Sequence, residues 1–346
     1  MHLAEKLGSG AQILRANLQD SYRAPFSVYL SLTDRCPNRC KYCNYYNLDD
    51  EDKELKTPQI LRLIDEMSSL HTRRFQLTGG EPMVRNDIGK IINYARSRGL
   101  FVGVSTSGLL IPKKINELKN VNIVFLSLDG DEKAHDSLRG ESTYRMVMEA
   151  MDTFKANNIK FFTTTVLTRE NRDSIDHILR MAREKGFWSN YVFLYHEDDA
   201  INNMPSSEKL EELMLTDKEV RETAAYLLDR KSVGEPVGSS AEYLNFLINW
   251  KDFSKTYSPQ KVKNIKCWAG RLSCHINAKG KLYGCGVAMG MVEGQDVTEL
   301  GLQEAFIRSS RVPGCNSCIQ ACWLESNIIY SLNMGAIWNW LRALNN

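Results

Sequence analysis

Three cysteines fall within one short stretch, Cys36-Pro37-Asn38-Arg39-Cys40-Lys41-Tyr42-Cys43, in the spacing C-x3-C-x2-C. Such a loop offers three thiolates to one metal centre. Soft thiolates suit iron–sulfur clusters, and a cubane [4Fe–4S] core held by three of them keeps one iron open to a substrate or cofactor. A structural zinc site would want a fourth Cys or His close by, and the loop has none. The apolar, β-prone run Phe26 to Thr33 leads directly into it. The thiols therefore sit just beyond the C-terminal end of a strand, where α/β barrels keep their chemistry.

The other six cysteines gather near the C-terminus: Cys267, Cys274, Cys285, Cys315, Cys318 and Cys322. Cys267, Gly280 and Cys285 give C-x12-G-x4-C, and Cys315 and Cys318 give C-x2-C with Cys322 following. The segment Ile276 to Leu282, with Lys279-Gly280 at its turn, reads as a β-hairpin holding thiols near its ends. Six thiols fill one four-ligand cluster with two to spare, or two clusters with open positions. A zinc ribbon is a further reading of the C-x2-C pair.

These groups need elements to position them. Strand-like runs at 26–33, 73–78, 101–106, 122–128, 160–167 and 190–196 alternate with helical patterns at 58–70, 87–98, 111–119, 144–157 and 174–185. Ile60, Leu61, Ile64, Met67 and Leu70 line one face of the first of these helices. Gly99 and Gly186 stand where helix C-caps belong. Alternation of this kind implies βαβ units and a parallel sheet. The first 25 residues read as an amphipathic helix capping the barrel floor. After residue 200 come polar segments and helical runs at 217–230 and 241–250, separated by Gly234-Glu235-Pro236-Val237-Gly238-Ser239-Ser240. The aromatic-rich tail from Trp323 to Leu344 is expected to pack on its own domain.

At 346 residues the chain can bury a full core and is long enough for one large domain and a smaller one. A net charge of +2 with intermixed signs gives no nucleic-acid footprint. No long apolar run marks a transmembrane span or signal peptide, so a cytoplasmic protein is expected. Nine clustered cysteines without a secretion signal argue for metal rather than disulfides.

The cysteine loop resembles the signature of the radical S-adenosylmethionine (radical SAM) superfamily, with Tyr42 at the aromatic position before the last thiol. Thr78-Gly79-Gly80-Glu81-Pro82 is similar to that family's GGE motif. Ser105-Thr106-Ser107-Gly108 and Ser127-Leu128-Asp129-Gly130, with His135 to Arg139 after them, stand where related enzymes hold the cofactor's ribose and carboxylate. The resemblance implies an α/β fold: a partial (β/α)6 TIM-like barrel with a smaller C-terminal auxiliary-cluster domain. It implies that Cys36, Cys40 and Cys43 ligate the first [4Fe–4S] cluster, and that Gly79, Gly80 and Glu81 hold the methionine amino group. Arg139 would pair with the methionine carboxylate, and Ser105, Ser107, Ser127 and Asp129 are candidates for carboxylate or ribose. Each has a plainer reading: a turn for Gly79-Gly80 and Asp129-Gly130, a solvated surface position for Arg139.

The C-terminal thiols resemble the auxiliary-cluster extension called SPASM or twitch, which implies at least one auxiliary [4Fe–4S] cluster. The favoured set is Cys267, Cys285, Cys315 and Cys318; a rival set brings in Cys274 and Cys322. A thiol left unligated could donate a hydrogen atom to a substrate radical, or be inert and buried. Expected divisions are 1–25 (N-terminal helix), 26–200 (barrel), 201–265 (helical bridge) and 266–346 (auxiliary domain). Tyr195, His196, Glu197 and Asp198 would face the barrel mouth.

The implied activity is reductive cleavage of S-adenosyl-L-methionine to a 5′-deoxyadenosyl radical that abstracts hydrogen from a substrate. A peptide or protein side chain, oxidised or cross-linked with the auxiliary cluster as electron acceptor, leads. A small molecule (sugar alcohol, cofactor precursor or lipid) is the alternative, and a non-catalytic iron–sulfur scaffold a second one. An electron donor such as flavodoxin or ferredoxin is implied.

Overall fold

The computed structural model describes residues 3–19, 21, 23–44, 53–194 and 207–345. Tyr195, His196, Glu197 and Asp198 lie outside the described residues. Helix α1 (Leu3–Leu18) precedes six strand–helix units: β1 (Ser27–Thr33), α2 (Thr57–Ser69), β2 (Arg74–Gly79), α3 (Ile88–Ser97), β3 (Phe101–Thr106), α4 (Ile111–Lys114), β4 (Ile123–Ser127), α5 (Glu132–Arg139), α6 (Thr143–Ala156), β5 (Phe161–Leu167), α7 (Ile175–Lys185) and β6 (Trp188–Phe193). Helices α8 (Ser207–Leu213), α9 (Asp217–Ser232) and α10 (Ala241–Ile248) follow. The C-terminal region holds β7 (Tyr257–Ser258), β8 (Ser273–Ile276), β9 (Lys281–Tyr283), β10 (Gln295–Asp296), α11 (Val297–Arg308), β11 (Ser317–Cys318), α12 (Ala321–Tyr330) and α13 (Met334–Asn345).

Strands β1 to β6 are all parallel and neighbour one another in chain order, the arrangement of a partial (β/α)6 barrel. Val28, Leu30, Leu77, Val102, Val104, Val124 and Leu126 are fully buried under the flanking helices. Successive strand side chains point to opposite faces, so the intervening residues Tyr29, Gln76, Ser105, Phe125 and Thr164 face the barrel interior, where they line a cavity.

The six strands and their principal helices fall close to the expected positions. The stretch 111–119 is not one helix: α4 ends at Lys114 and Ile115–Leu118 continues as a 3-10 turn. Helix α5 had no apolar stripe to announce it. Its polar run is started by Asp131, whose side chain accepts from Ala134 N at 3.0 Å.

Two features of the packing lie beyond the local sequence pattern. The C-terminal hairpin joins the barrel sheet: β8 pairs in parallel with β1, and β9 and β10 extend the same sheet, giving the order β10-β9-β8-β1-β2-β3-β4-β5-β6, while β7 and β11 form a separate two-stranded sheet. The tail helix α13 packs on α12 of its own region and on α10, and reaches the barrel as well. Ala343 of α13 packs with Ile123 and Phe162 beneath the barrel, and Trp340 lies 6.2 Å from the Phe162 ring. Helix α1 packs near the start of β1 and β8, through Ala16 against Phe26, Trp268 and Leu272. Trp338 of α13 stays exposed. Among the described residues no helix is long and apolar enough to cross a membrane.

Candidate functional site

The cysteine loop leaves β1 through a buried polar hub. Glu54 accepts from Thr33 Oγ1 at 2.5 Å and from Asp34 N at 2.9 Å. Arg85 donates to the carbonyls of Leu32 (3.1 Å) and Leu55 (3.0 Å) and pairs with Asp87 at 2.7 Å. The Gly79-Gly80-Glu81 segment is then stitched to the loop: Gly80 N donates to Thr33 O at 2.8 Å and Glu81 N to Arg35 O at 2.9 Å. A Cβ on Gly79 would stand 2.3 Å from Thr33 O, and one on Gly80 2.2 Å from Arg35 O. Only glycine lets the two backbones come this close, and Gly79 also has φ +118°.

Glu81 is buried and fully engaged. Its Oε1 accepts from Thr106 Oγ1 (2.8 Å) and Met83 N (3.1 Å), and its Oε2 from Ser107 N (2.7 Å) and Ser107 Oγ (2.5 Å). Four donors fill the acceptor capacity of a carboxylate. In this structure Glu81 ties the β2 and β3 ends together, with Ser107 as a partner.

On the other side of the loop a buried triad forms. Asp129, with no exposed surface, accepts from the Tyr42 hydroxyl and, at 2.5 Å, from Arg139 Nε. Its other oxygen accepts from Val166 N at 2.8 Å. Arg139 lies 5.6 Å over the Tyr42 ring. Despite burial, Asp129 and Tyr42 hold the Arg139 guanidinium well above its ordinary value. Arg139 is no surface arginine. Its Nε is committed to Asp129, while its terminal nitrogens make no hydrogen bond among the described residues. His135 Nδ1 accepts from Asp129 N at 3.0 Å, and burial lowers its pKa to about 4, so the ring is neutral.

The loop thiols interact with one another. Burial pushes Cys36 up to about 12, with Cys40 and Cys43 adding, and Cys40 up to about 11, with Cys43 adding. Arg139 opposes the rise at Cys40. Cys40 and Cys43 rest on Tyr42, Leu138 and Leu194. Three thiols on one loop, enclosed by apolar side chains with a guanidinium nearby, fit a three-thiolate cluster as a donor set.

In the second group, burial pushes Cys285 and Cys315 up to about 12 and Cys318 well above its ordinary value, and each of the three also feels Cys267. These four thiols therefore share one neighbourhood. Buried thiols this hard to ionise would be thiolates only beside a cationic centre. Cys274 is separate: it is fully buried in the main core, and desolvation alone raises its pKa. Cys322 is separate too, facing Arg74 and Glu325. Among the described residues no three His, Cys, Asp or Glu side chains stand close enough to share a single metal ion.

A cavity of about 460 Å³ runs from the cysteine loop down the barrel interior. Tyr42, Cys43, Thr78, Ser105 and Ser127 line its upper end, and Tyr29, Arg74, Cys322, Glu325 and Trp340 its lower end. The sequence reading had picked out the upper residues by motif. It passed over Arg74, although a charge on the inward face of a strand, in register with Gln76 and Thr78, was a usable signal.

Comparison with known proteins agrees with this geometry. The profile described as "Radical SAM superfamily" matches residues 30–199. The chain is 28% identical over 211 residues to a PqqA peptide cyclase of Granulibacter bethesdensis, covering 57% of this chain and 56% of that one. It is 25% identical over 312 residues to mycofactocin maturase MftC of Mycolicibacterium smegmatis, covering 85% and 76%. The chain spans about half the length of the first of these relatives. In fold it is similar to Streptococcus suis SuiB bound to S-adenosylmethionine (TM-score 0.64, 15% identity, 84% of this chain and 67% of that chain). SuiB bound to precursor peptide SuiA gives a TM-score of 0.61 at 15% identity, over 96% and 72%.

Proposed function

The chain belongs to the radical SAM superfamily, and from that premise we propose that it binds S-adenosylmethionine at the cysteine loop and opens a radical reaction on a peptide side chain. The observation that carries this reading is one arrangement. Three thiols follow a parallel strand, a glycine strap is bonded to the chain leading into them (Gly80 N to Thr33 O, 2.8 Å), and a large interior cavity begins at their third member. When bound, a reduced three-thiolate [4Fe–4S] cluster supplies the electron that splits S-adenosylmethionine into methionine and the hydrogen-abstracting 5′-deoxyadenosyl radical.

The chain's own residues orient and enclose. Cys36, Cys40 and Cys43 would hold the cluster. The Gly79 and Gly80 backbone, free of Cβ atoms, forms the wall beside it, and Glu81 keeps that wall attached to β3. The open terminal nitrogens of Arg139 suit the methionine carboxylate. Asp129 and Tyr42 fix the guanidinium in place. Ser105 and Ser127, on the cavity wall, suit the ribose. Water is excluded by the apolar packing of Tyr42, Leu138 and Leu194.

The peptide substrate is proposed from the relatives, a peptide cyclase and a peptide-bound structural neighbour. Cys267, Cys285, Cys315 and Cys318 would hold one auxiliary cluster as electron acceptor, with a flavodoxin or ferredoxin reducing the first. The divisions 26–200 and 266–346 are proposed as the functional halves, joined through the β1–β8 pairing. The test is anaerobic reconstitution, reduction with dithionite and quantification of 5′-deoxyadenosine. Formation above a Cys36→Ala control is expected; none above it sinks the reading.

A further inference from the structure

The lower half of the cavity is built for a charge that no motif announces. Arg74, at the start of β2, lines it together with Tyr29, Cys322 and Trp340. The guanidinium carbon lies 5.1 Å over the Trp340 ring. The ionisable groups that face it are Tyr29, Tyr330 and Cys322. Burial pushes Tyr29 up to about 12, so it supplies no negative charge near neutral pH. No Asp or Glu pairs with Arg74 among the described residues. The other arginines of the barrel interior differ: Arg139 has Asp129, and Arg85 has Asp87 and Glu54. An arginine cannot shed its proton, and an enclosed cation without an anion is costly.

A second open group borders the same space. Glu325, one turn beyond Cys322 on α12, lines the cavity. Its Oε1 accepts from Ser240 N at 2.7 Å, whereas Oε2 is buried with no hydrogen-bond partner. Arg74, Cys322 and Glu325 all line the one cavity.

We propose that Arg74 anchors a carboxylate of the substrate, with Oε2 of Glu325 free for a hydrogen-bond donor on the same molecule. The planar guanidinium fork matches a carboxylate in two parallel hydrogen bonds. The inference rests on the reading that this cavity receives the substrate. The carboxylate is either an acidic side chain of a peptide or that of a free small acid, and both present the same group to Arg74.

Calorimetry on the reconstituted, cluster-loaded protein tests it with three probes: N-acetylglutamic acid α-amide, its neutral counterpart N-acetylglutamine α-amide, and glutarate. The acid should bind about 10- to 100-fold more tightly than the neutral amide, the value of a charge-assisted bond. Arg74→Gln should erase that preference and Arg74→Lys should keep part of it. Tighter binding of the blocked amino acid supports the peptide source, tighter binding of glutarate the free acid. Equal binding of acid and amide, no saturable binding of either acid at millimolar concentration, or an unchanged preference in Arg74→Gln overturns the proposal. If Arg74→Gln does not fold, the wild-type comparison and Arg74→Lys decide. Measuring 5′-deoxyadenosine on the same samples separates the two readings. Wild type that forms it without preferring acids sinks the anchor alone; wild type that forms none sinks the radical reading.

Discussion

The two thiol groups are assembled in opposite ways. Cys36, Cys40 and Cys43 come from a single loop, and the rest of the fold only holds that loop still, through the Glu54 and Arg85 hub, the glycine strap and the Tyr42, Asp129 and Arg139 triad. Cys267, Cys285, Cys315 and Cys318 come from three separate stretches of chain. Cys285 follows the β8–β9 hairpin, and Cys318 is in place because β11 pairs with β7, opposite Tyr257. Local spacing thus suffices to specify the first group, while the second exists only once the chain has folded.

The largest effects should come from removing the groups themselves. Replacing Cys36, Cys40 and Cys43 by Ala should remove about four irons per chain and all 5′-deoxyadenosine formation, measured by iron assay and chromatography. Replacing Cys285 and Cys318 should remove a similar amount of iron, roughly one four-iron core, yet leave formation of 5′-deoxyadenosine from the cofactor alone intact. Loss of that activity in the second variant would break the independence of the two groups.

Next come the supports of the first loop. Asp129→Asn leaves Arg139 buried and uncompensated, for which a loss of about 3–5 kcal/mol in urea unfolding is expected. A loss near zero would mean that Arg139 finds another partner. Gly80→Ala is smaller, about 1–3 kcal/mol, as for an overpacked position. The clash is with backbone, Arg35 O at 2.2 Å, so the strap must shift. Iron should fall at the cysteine loop while the C-terminal group keeps its own, by Mössbauer integration of the two species. Equal losses at both would show that the strap supports the whole sheet.

The parallel strands and the first loop were legible because their signals are local. Apolar alternation, a C-x3-C-x2-C spacing and two consecutive glycines can be read in a short window. What could not be read was assembly between windows. Nothing in Ser273 to Ile276 announces pairing with β1, which is what joins the C-terminal region to the barrel sheet. Trp340 and Ala343 read as an apolar helix face, but only the fold directs that face beneath β4 and β5. Cys274 and Cys322 have the same residue type as the four gathered thiols, and only their surroundings, a dry core and a cavity wall, set them apart. Glu81 was legible as part of a motif, but its four internal donors were not.

The smallest effect bears on how enclosed the C-terminal side of the cavity is. Burial raises the Glu325 carboxyl to about 7, against the pull of Ser240 and Lys231 and with a small push from Glu242. Its ordinary value is 4.5. Between pH 4.5 and 7 the folded protein keeps a proton that the unfolded chain releases, so this group removes stability as pH rises through that window and changes nothing above it. An effect of about 1 kcal/mol or more is expected across that window. Melting temperature followed from acid to neutral pH should therefore fall less steeply in Glu325→Gln than in wild type, with the two curves parallel above 7. Formation of 5′-deoxyadenosine from the cofactor alone should be equal in both, because Glu325 is bonded to Ser240 and belongs neither to the cysteine loop nor to its supports. Identical slopes in the window would mean that Glu325 is already ionised in the folded protein. The lower cavity would then be a wetted groove, and the unpaired state of Arg74 would lose its cost.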